Sequence, residues 1–167
     1  MSESREELIA RLSAHVREEI DHWVAKYPSG KQRSAVLAAL RAVQHEHGHL
    51  PVEQMDAVAA YLDMAPIEVY EVASFYSMYE LEPVGRHTIA VCDNISCMLR
   101  GADRIIEHIE NKLGIKRGES TPDGKFYFKQ EEECLAACCG GPMMQVDHKY
   151  YEHLTPEKVD EILDNLE

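Results

Sequence analysis

The first 91 residues of this 167-residue chain contain no cysteine, and all five cysteines fall between positions 92 and 139. A disulfide-stapled first half is therefore excluded. An odd number confined to one window argues against a complete disulfide framework in the second half. No run of 18 apolar residues occurs, so no transmembrane helix is expected. The G-x-G-x-x-G turn that cradles a dinucleotide pyrophosphate is also missing, so no dinucleotide has a recognisable seat on this chain. Basic residues are scarce, 17 against 30 acidic ones, for a net charge of −13. Such a chain repels nucleic acid and anionic lipid. Its partners, if any, are expected to be proteins. The opening Met1-Ser2-Glu3-Ser4-Arg5-Glu6-Glu7 has neither the basic and apolar stretches of a secretory signal nor the Arg-rich character of a transit peptide. A cytosolic protein, or one on the cytosolic side of a membrane complex, is expected.

What is present divides into two patterns. Leu8, Ile9, Leu12, Val16, Ile20, Trp23 and Val24 recur at helical spacing and predict one helix, broken by Pro28-Ser29-Gly30. A second helix carries Val36, Leu37, Leu40 and Val43 and stops near Gly48. Pro51 and Pro66 each open a further helix, the third with Met55, Val58, Ala59 and Leu62 inward. After Pro83-Val84-Gly85 the pattern changes. A strand over 87–92, a helix over 102–113 ended by Gly114, and a strand from Phe126 to Phe128 form a β-helix-β crossover. A hairpin around Asp147-His148-Lys149 follows, then a helix capped by Thr155 with Pro156 at its first position.

The cysteines read C-x4-C, a gap of 36 residues, then C-x3-C. A β-helix-β crossover makes its two strands parallel, so both end at one edge of the sheet. Cys92 and Cys97 sit beyond the first strand, Cys134 and Cys138 beyond the second. Four thiols from two distant segments should thus converge where open α/β sheets tend to hold ligands. Four thiolates suit zinc or an iron–sulfur cluster. Structural zinc favours tight C-x2-C knuckles, and the wider loops here can wrap a two-iron rhomb with one pair per iron. Spacing alone leaves both metals open. A dithiol–disulfide couple is a third reading, though the C-x2-C redox motif is absent.

The segment Cys92-Asp93-Asn94-Ile95-Ser96-Cys97-Met98-Leu99-Arg100-Gly101, with Glu133-Cys134-Leu135-Ala136-Ala137-Cys138 and Gly141-Pro142, resembles the 24-kDa subunit family of respiratory complex I, whose bacterial counterpart is the E subunit of NADH–quinone oxidoreductase. Ser74-Phe75-Tyr76-Ser77-Met78-Tyr79 and Thr155-Pro156-Glu157-Lys158-Val159 extend the likeness, which runs from about residue 20 onward. The resemblance implies an α/β fold of α+β type: an N-terminal helical bundle over 1–83 and a thioredoxin-like [2Fe–2S] ferredoxin domain over 84–167. It implies one [2Fe–2S] cluster on Cys92, Cys97, Cys134 and Cys138. It further implies a one-electron role in an NADH:quinone oxidoreductase and translocase, peripheral to the inner membrane. The implied partners are the flavin- and NADH-binding subunit, which holds FMN, and the large iron–sulfur subunit. The equivalent component of an NAD-linked hydrogenase or formate dehydrogenase is the alternative, and a zinc-stabilised interaction domain a further one. All-cysteine ligation suggests a low potential, on the order of −400 mV as in plant-type ferredoxins.

Backbone N–H groups near Gly101 and in Gly140-Gly141 are expected to point at the sulfurs. Two departures from the family stand out. Cys139 directly follows Cys138 and offers a C-x4-C alternative, with a buried or supporting thiol as its expected role. Ala136 stands where the family often has Gly, a departure read here as one of size only. Elsewhere, His45-Glu46-His47-Gly48-His49 has the look of a metal tract, but Gly48 should end the helix and spoil the spacing. Glu131-Glu132-Glu133 reads as a solvated strand end. Tyr70, Phe75, Tyr76 and Tyr79 are expected in the core, with any exposed subset marking a docking surface.

Overall fold

The computed structural model describes residues 4–130 and 134–167. The chain divides into two compact units, with the division between Pro83 and Val84. The first is helical: α1 (Arg5–Ile9), α2 (Ala14–Val24), α3 (Val36–His47), α4 (Val52–Leu62) and α5 (Pro66–Phe75), with a 3-10 turn over Gln32–Ala35. The single helix expected from Leu8 to Val24 is two. Ser13 adopts extended backbone and its side chain accepts the Val16 amide, starting a new helix where the apolar period runs on unbroken. The remaining boundaries follow the sequence signals. Gly48 closes α3 in the left-handed conformation, and Pro51 and Pro66 mark the starts of α4 and α5. Val16, Ile20, Leu40, Val43, Val58 and Leu62 form the centre of one core. Burial of each such side chain contributes about 1.5–3 kcal/mol. Tyr79 belongs to this core. Tyr70, Phe75 and Tyr76 do not, and Phe75 is 79% exposed. Tyr70 and Phe75 lie off the stripe of α5 that buries Val69 and Ala73, and Tyr76 stands just past the helix end in extended backbone.

The second unit is a five-stranded sheet with helices. Its elements are β1 (His87–Val91), α6 (Ile95–Met98), α7 (Ala102–Leu113), β2 (Glu119–Ser120), β3 (Phe126–Phe128), β4 (Met144–Val146), β5 (Lys149–Tyr151) and α8 (Pro156–Asp164). Strand order is β2-β3-β1-β4-β5. β1 and β3 are parallel, with Ile89 opposite Phe128, and the other pairings are antiparallel. Ile105 and Ile109 of α7 join Val159 and Leu163 of α8 in one core with Ile89, Val91 and Phe128. The two helices are tied by His108 to Asp160 at 2.8 Å and by Lys112 to Asp164 at 2.7 Å. The crossover, the hairpin and the Thr155 cap stand where the sequence places them. β2 is an addition, a two-residue strand defined only by its pairing with β3. No helix among the described residues is long and apolar enough to cross a membrane.

Candidate metal centre

The parallel pairing of β1 and β3 sends both strands toward the same edge of the sheet. Cys92 follows β1 directly, and its amide donates to the Met143 carbonyl at 3.2 Å, extending the β1–β4 ladder by one residue. The chain then turns into α6, whose third residue is Cys97. Cys134 and Cys138 lie on the connection after β3. Glu131-Glu132-Glu133, which precedes them, lies outside the described residues.

The thiols come in twos. Cys92 and Cys97 are buried and hydrogen-bonded to each other. Cys134 and Cys138 are exposed, with sulfurs 3.9 Å apart. The pairs are also close enough to feel each other's charge, Cys138 acting on Cys97 and Cys92 on Cys138. All five cysteines are free thiols. Among the described residues, no three His, Cys, Asp or Glu side chains are arranged to hold one ion.

Three polar donors reach the sulfurs. The Ala136 amide donates to Cys134 Sγ at 3.4 Å. The Met143 amide donates to the Cys97 thiol, and the Ser96 hydroxyl to that of Cys138. The amides of Gly101 and Gly140 do not serve this purpose: they close turns on the carbonyls of Met98 and Ala137. Burial, then the Cys92 contact, pushes the Cys97 thiol up to about 11. The neighbouring Cys134 raises Cys138. Each shift says that a metal-free site resists gathering several thiolates, a cost that a bound cation removes. Ala102, Leu135 and Met143 pack with Cys92 and Cys97 as an apolar floor. Gly141 completes it: a Cβ there would lie 3.0 Å from Cys97 Sγ. Ile95, Met98 and Leu99, in the loop around Cys97, are exposed, Leu99 at 78%.

The four expected ligand positions are therefore gathered at one sheet edge, and their donor set suits two irons held pairwise. Cys139 is exposed rather than buried, and its thiol takes no part in either pair. Ala136 is more than a small residue: its φ of 58° is left-handed, the conformation a glycine adopts without strain. His45 and His49 share no helical face, because α3 ends at Gly48. Glu46 bonds Ser13 instead, and His49 the His47 carbonyl. Sequence reasoning missed Ser96 and Met143. Ser96 had a visible signal, a hydroxyl beside a cysteine. Met143 had none, since its contribution is a backbone amide.

The family model for thioredoxin-like [2Fe-2S] ferredoxins matches residues 20–167. The E 2 subunit of NADH-quinone oxidoreductase from Rhizobium meliloti (strain 1021) is 43% identical over 151 residues, 90% of this chain and 88% of its own. The E subunit of NADH-quinone oxidoreductase from Rickettsia bellii (strain RML369-C) is 46% identical over 144 residues, 86% of each chain. Among solved structures, an NAD+-reducing [NiFe]-hydrogenase in the H2-reduced state matches with a TM-score of 0.68 and 19% identity. That likeness covers 77% of this chain but 22% of the hydrogenase chain, and it bears on fold alone. Pairwise thiols beyond two parallel strands and a match over nearly the whole sequence agree: the chain belongs to the thioredoxin-like [2Fe-2S] ferredoxin family.

Proposed function

We propose that this chain holds one [2Fe–2S] cluster on Cys92, Cys97, Cys134 and Cys138 and serves as a one-electron carrier in an NADH–quinone oxidoreductase. The observation that carries the reading is the pairing of the thiols, two buried and two exposed, at the edge where β1 and β3 end. Zinc would call for one tetrahedron, whereas two pairs give each iron its own two sulfurs. A bound [2Fe–2S] cluster exchanges one electron at a time. The residues supply the rest. The floor of Ala102, Leu135 and Met143 keeps water from the inner pair. The Ala136 and Met143 amides and the Ser96 hydroxyl offset negative charge on sulfur. The outer pair faces solvent, and Ile95, Met98 and Leu99 in the loop of the inner pair are exposed too, surfaces from which a partner can approach.

NADH delivers two electrons, so a flavin has to stand between it and a one-electron centre. FMN and NADH therefore belong to a neighbouring flavin-binding subunit, with the large iron–sulfur subunit as a second partner. The place of action is the cytosolic side of the inner membrane, through that complex. Residues 1–83 and 84–167 serve as separate domains. Identities of 43% and 46% to E subunits of NADH-quinone oxidoreductases favour this assembly. An NAD-linked hydrogenase or formate dehydrogenase is the other assembly open to the fold, and neighbouring genes separate them. The test is elemental analysis with electron paramagnetic resonance of the dithionite-reduced protein. Two irons, two acid-labile sulfides and a two-iron signal are expected. One zinc per chain refutes the reading. Purified alone, the chain should oxidise no NADH and show no flavin absorbance.

A further inference from the structure

Two arginines join the loop of the inner thiol pair to the segments that carry the outer pair. Arg100 follows Cys97 by three residues, and its amide donates to the Cys97 carbonyl at 3.1 Å. Its guanidinium Nη1 donates to the backbone carbonyl of Cys139 at 3.0 Å, immediately beyond Cys138. Its stem lies beside the inner pair. The point where a Gly141 Cβ would stand is 3.4 Å from Arg100 Cδ and 3.0 Å from Cys97 Sγ. Arg117, in the connection from α7 to β2, makes a second tie of this kind. Its Nη1 donates to Asp93 Oδ2 at 2.8 Å, and Asp93 is the residue after Cys92. Its Nε faces the Lys129 carbonyl at 3.5 Å, just past β3 on the way to Cys134. The Arg117 side chain is 19% exposed, and its amide is held by Glu110.

We infer that Arg100 and Arg117 are positioning residues for the cluster, fixing the two thiol pairs against each other and placing two positive charges beside them. The inference rests on the cluster assignment above. A planar guanidinium with five donors can bond two separate segments at once, which an ammonium on a flexible stem does less well. Besides these ties, the two loops are held together by the strands beneath them, the packing of Leu135 on Cys92 and Cys97, and the Ser96 contact to Cys138. The charges matter as well. In a chain with a net charge of −13, each guanidinium near the sulfurs opposes the negative charge that reduction adds and so raises the potential.

The test uses the full chain loaded with ferric iron and sulfide, carrying Arg100→Met, Arg117→Met or Asp93→Asn. Three readouts apply: the rate of iron loss to a chelator, the g-values of the reduced protein, and the midpoint potential. Both Met variants should release iron several-fold faster, with altered g-values and a more negative potential. Asp93→Asn should also release iron faster, but with a more positive potential, because it removes an anion. That opposition of sign is not expected of a brace that merely stabilises the fold. Arg100 is exposed and Asp93→Asn is isosteric, so these two decide the matter even if Arg117→Met does not fold. Wild-type release rates, g-values and potential in both would overturn the inference alone. A wild-type chain that takes up no iron overturns the cluster assignment and this inference with it.

Discussion

Cys134 and Cys138 bring their sulfurs within 3.9 Å by turning the chain through the residue midway between them, Ala136, at a φ of 58°. The turn also aims the Ala136 amide at Cys134 Sγ. The outer thiol pair is thus made by one left-handed residue and not by sequence spacing alone. An L-residue with a Cβ resists this conformation by roughly 1–2 kcal/mol, while a glycine gives back part of that gain as unfolded-chain entropy. Ala136→Gly should therefore stabilise the metal-free chain by roughly 0.5–1 kcal/mol. Urea denaturation measures it, and a loss of stability would show that the turn is not strained.

The ligand set makes a sharper distinction. Cys97 is buried and hydrogen-bonded to Cys92, whereas the exposed Cys139 offers its carbonyl to Arg100 and keeps its thiol out of both pairs. Cys97→Ala should lose the cluster and its visible absorbance. Cys139→Ser should retain two irons and two sulfides. Equal loss in both variants would require the second pair to be Cys134 with Cys139.

The scaffold of this site is legible in the sequence because its signals are local. An apolar run ending in a cysteine marks β1, and Gly114 marks the end of α7. Asp147-His148-Lys149 marks the hairpin, where Asp147 takes a φ of 55°. What stays hidden depends on partners distant in the chain. Ser13 interrupts a helix whose apolar period continues past it, so periodicity does not reveal the break. β2 exists only because Glu119 meets Phe128 and Ser120 meets Tyr127. Permissive backbone makes the glycines the natural candidates for donors to sulfur. The amides of Gly101 and Gly140 instead close turns, and Met143 supplies an amide that no side-chain pattern advertises. Volume is the wrong measure for Ala136, whose φ is the relevant quantity.

Gly85 links the strand frame to the site. Its amide donates to Ser120 Oγ at 3.0 Å, and a Cβ on it would overlap the backbone of Phe126 and Tyr127. Those atoms belong to β3 and cannot yield as a side-chain end could. Gly85→Ala should cost about 1–3 kcal/mol or more by forcing β3 away from β1. Cluster content should fall too, since Cys134 continues from β3. Ser120→Ala, which loses only the hydrogen bond, should cost about 1 kcal/mol and keep the cluster. Denaturation midpoints and iron content of the two variants separate the steric from the polar contribution.

The helical unit carries a test of its own at alkaline pH. The Tyr79 hydroxyl donates to the Leu37 carbonyl at 2.8 Å from a position that is 6% exposed. Burial holds it at about 12, above its ordinary 10.0. A group raised in the folded state favours folding fully below its unfolded value. That contribution is lost as pH rises from 10 to about 12, because the unfolded chain ionises first. Ionisation delayed by that interval amounts to roughly 3 kcal/mol. Cys97, held at about 11 against an ordinary 9.0, adds a loss of the same sign at lower pH in the metal-free chain. Tyr79→Phe should cost about 1 kcal/mol at neutral pH, where the Leu37 carbonyl loses its donor. The variant should then fall less steeply than wild type from pH 10 upward. Urea midpoints at neutral pH and across the alkaline range measure both effects, and identical alkaline slopes would mean that Tyr79 ionises as readily in the folded chain as in the unfolded one.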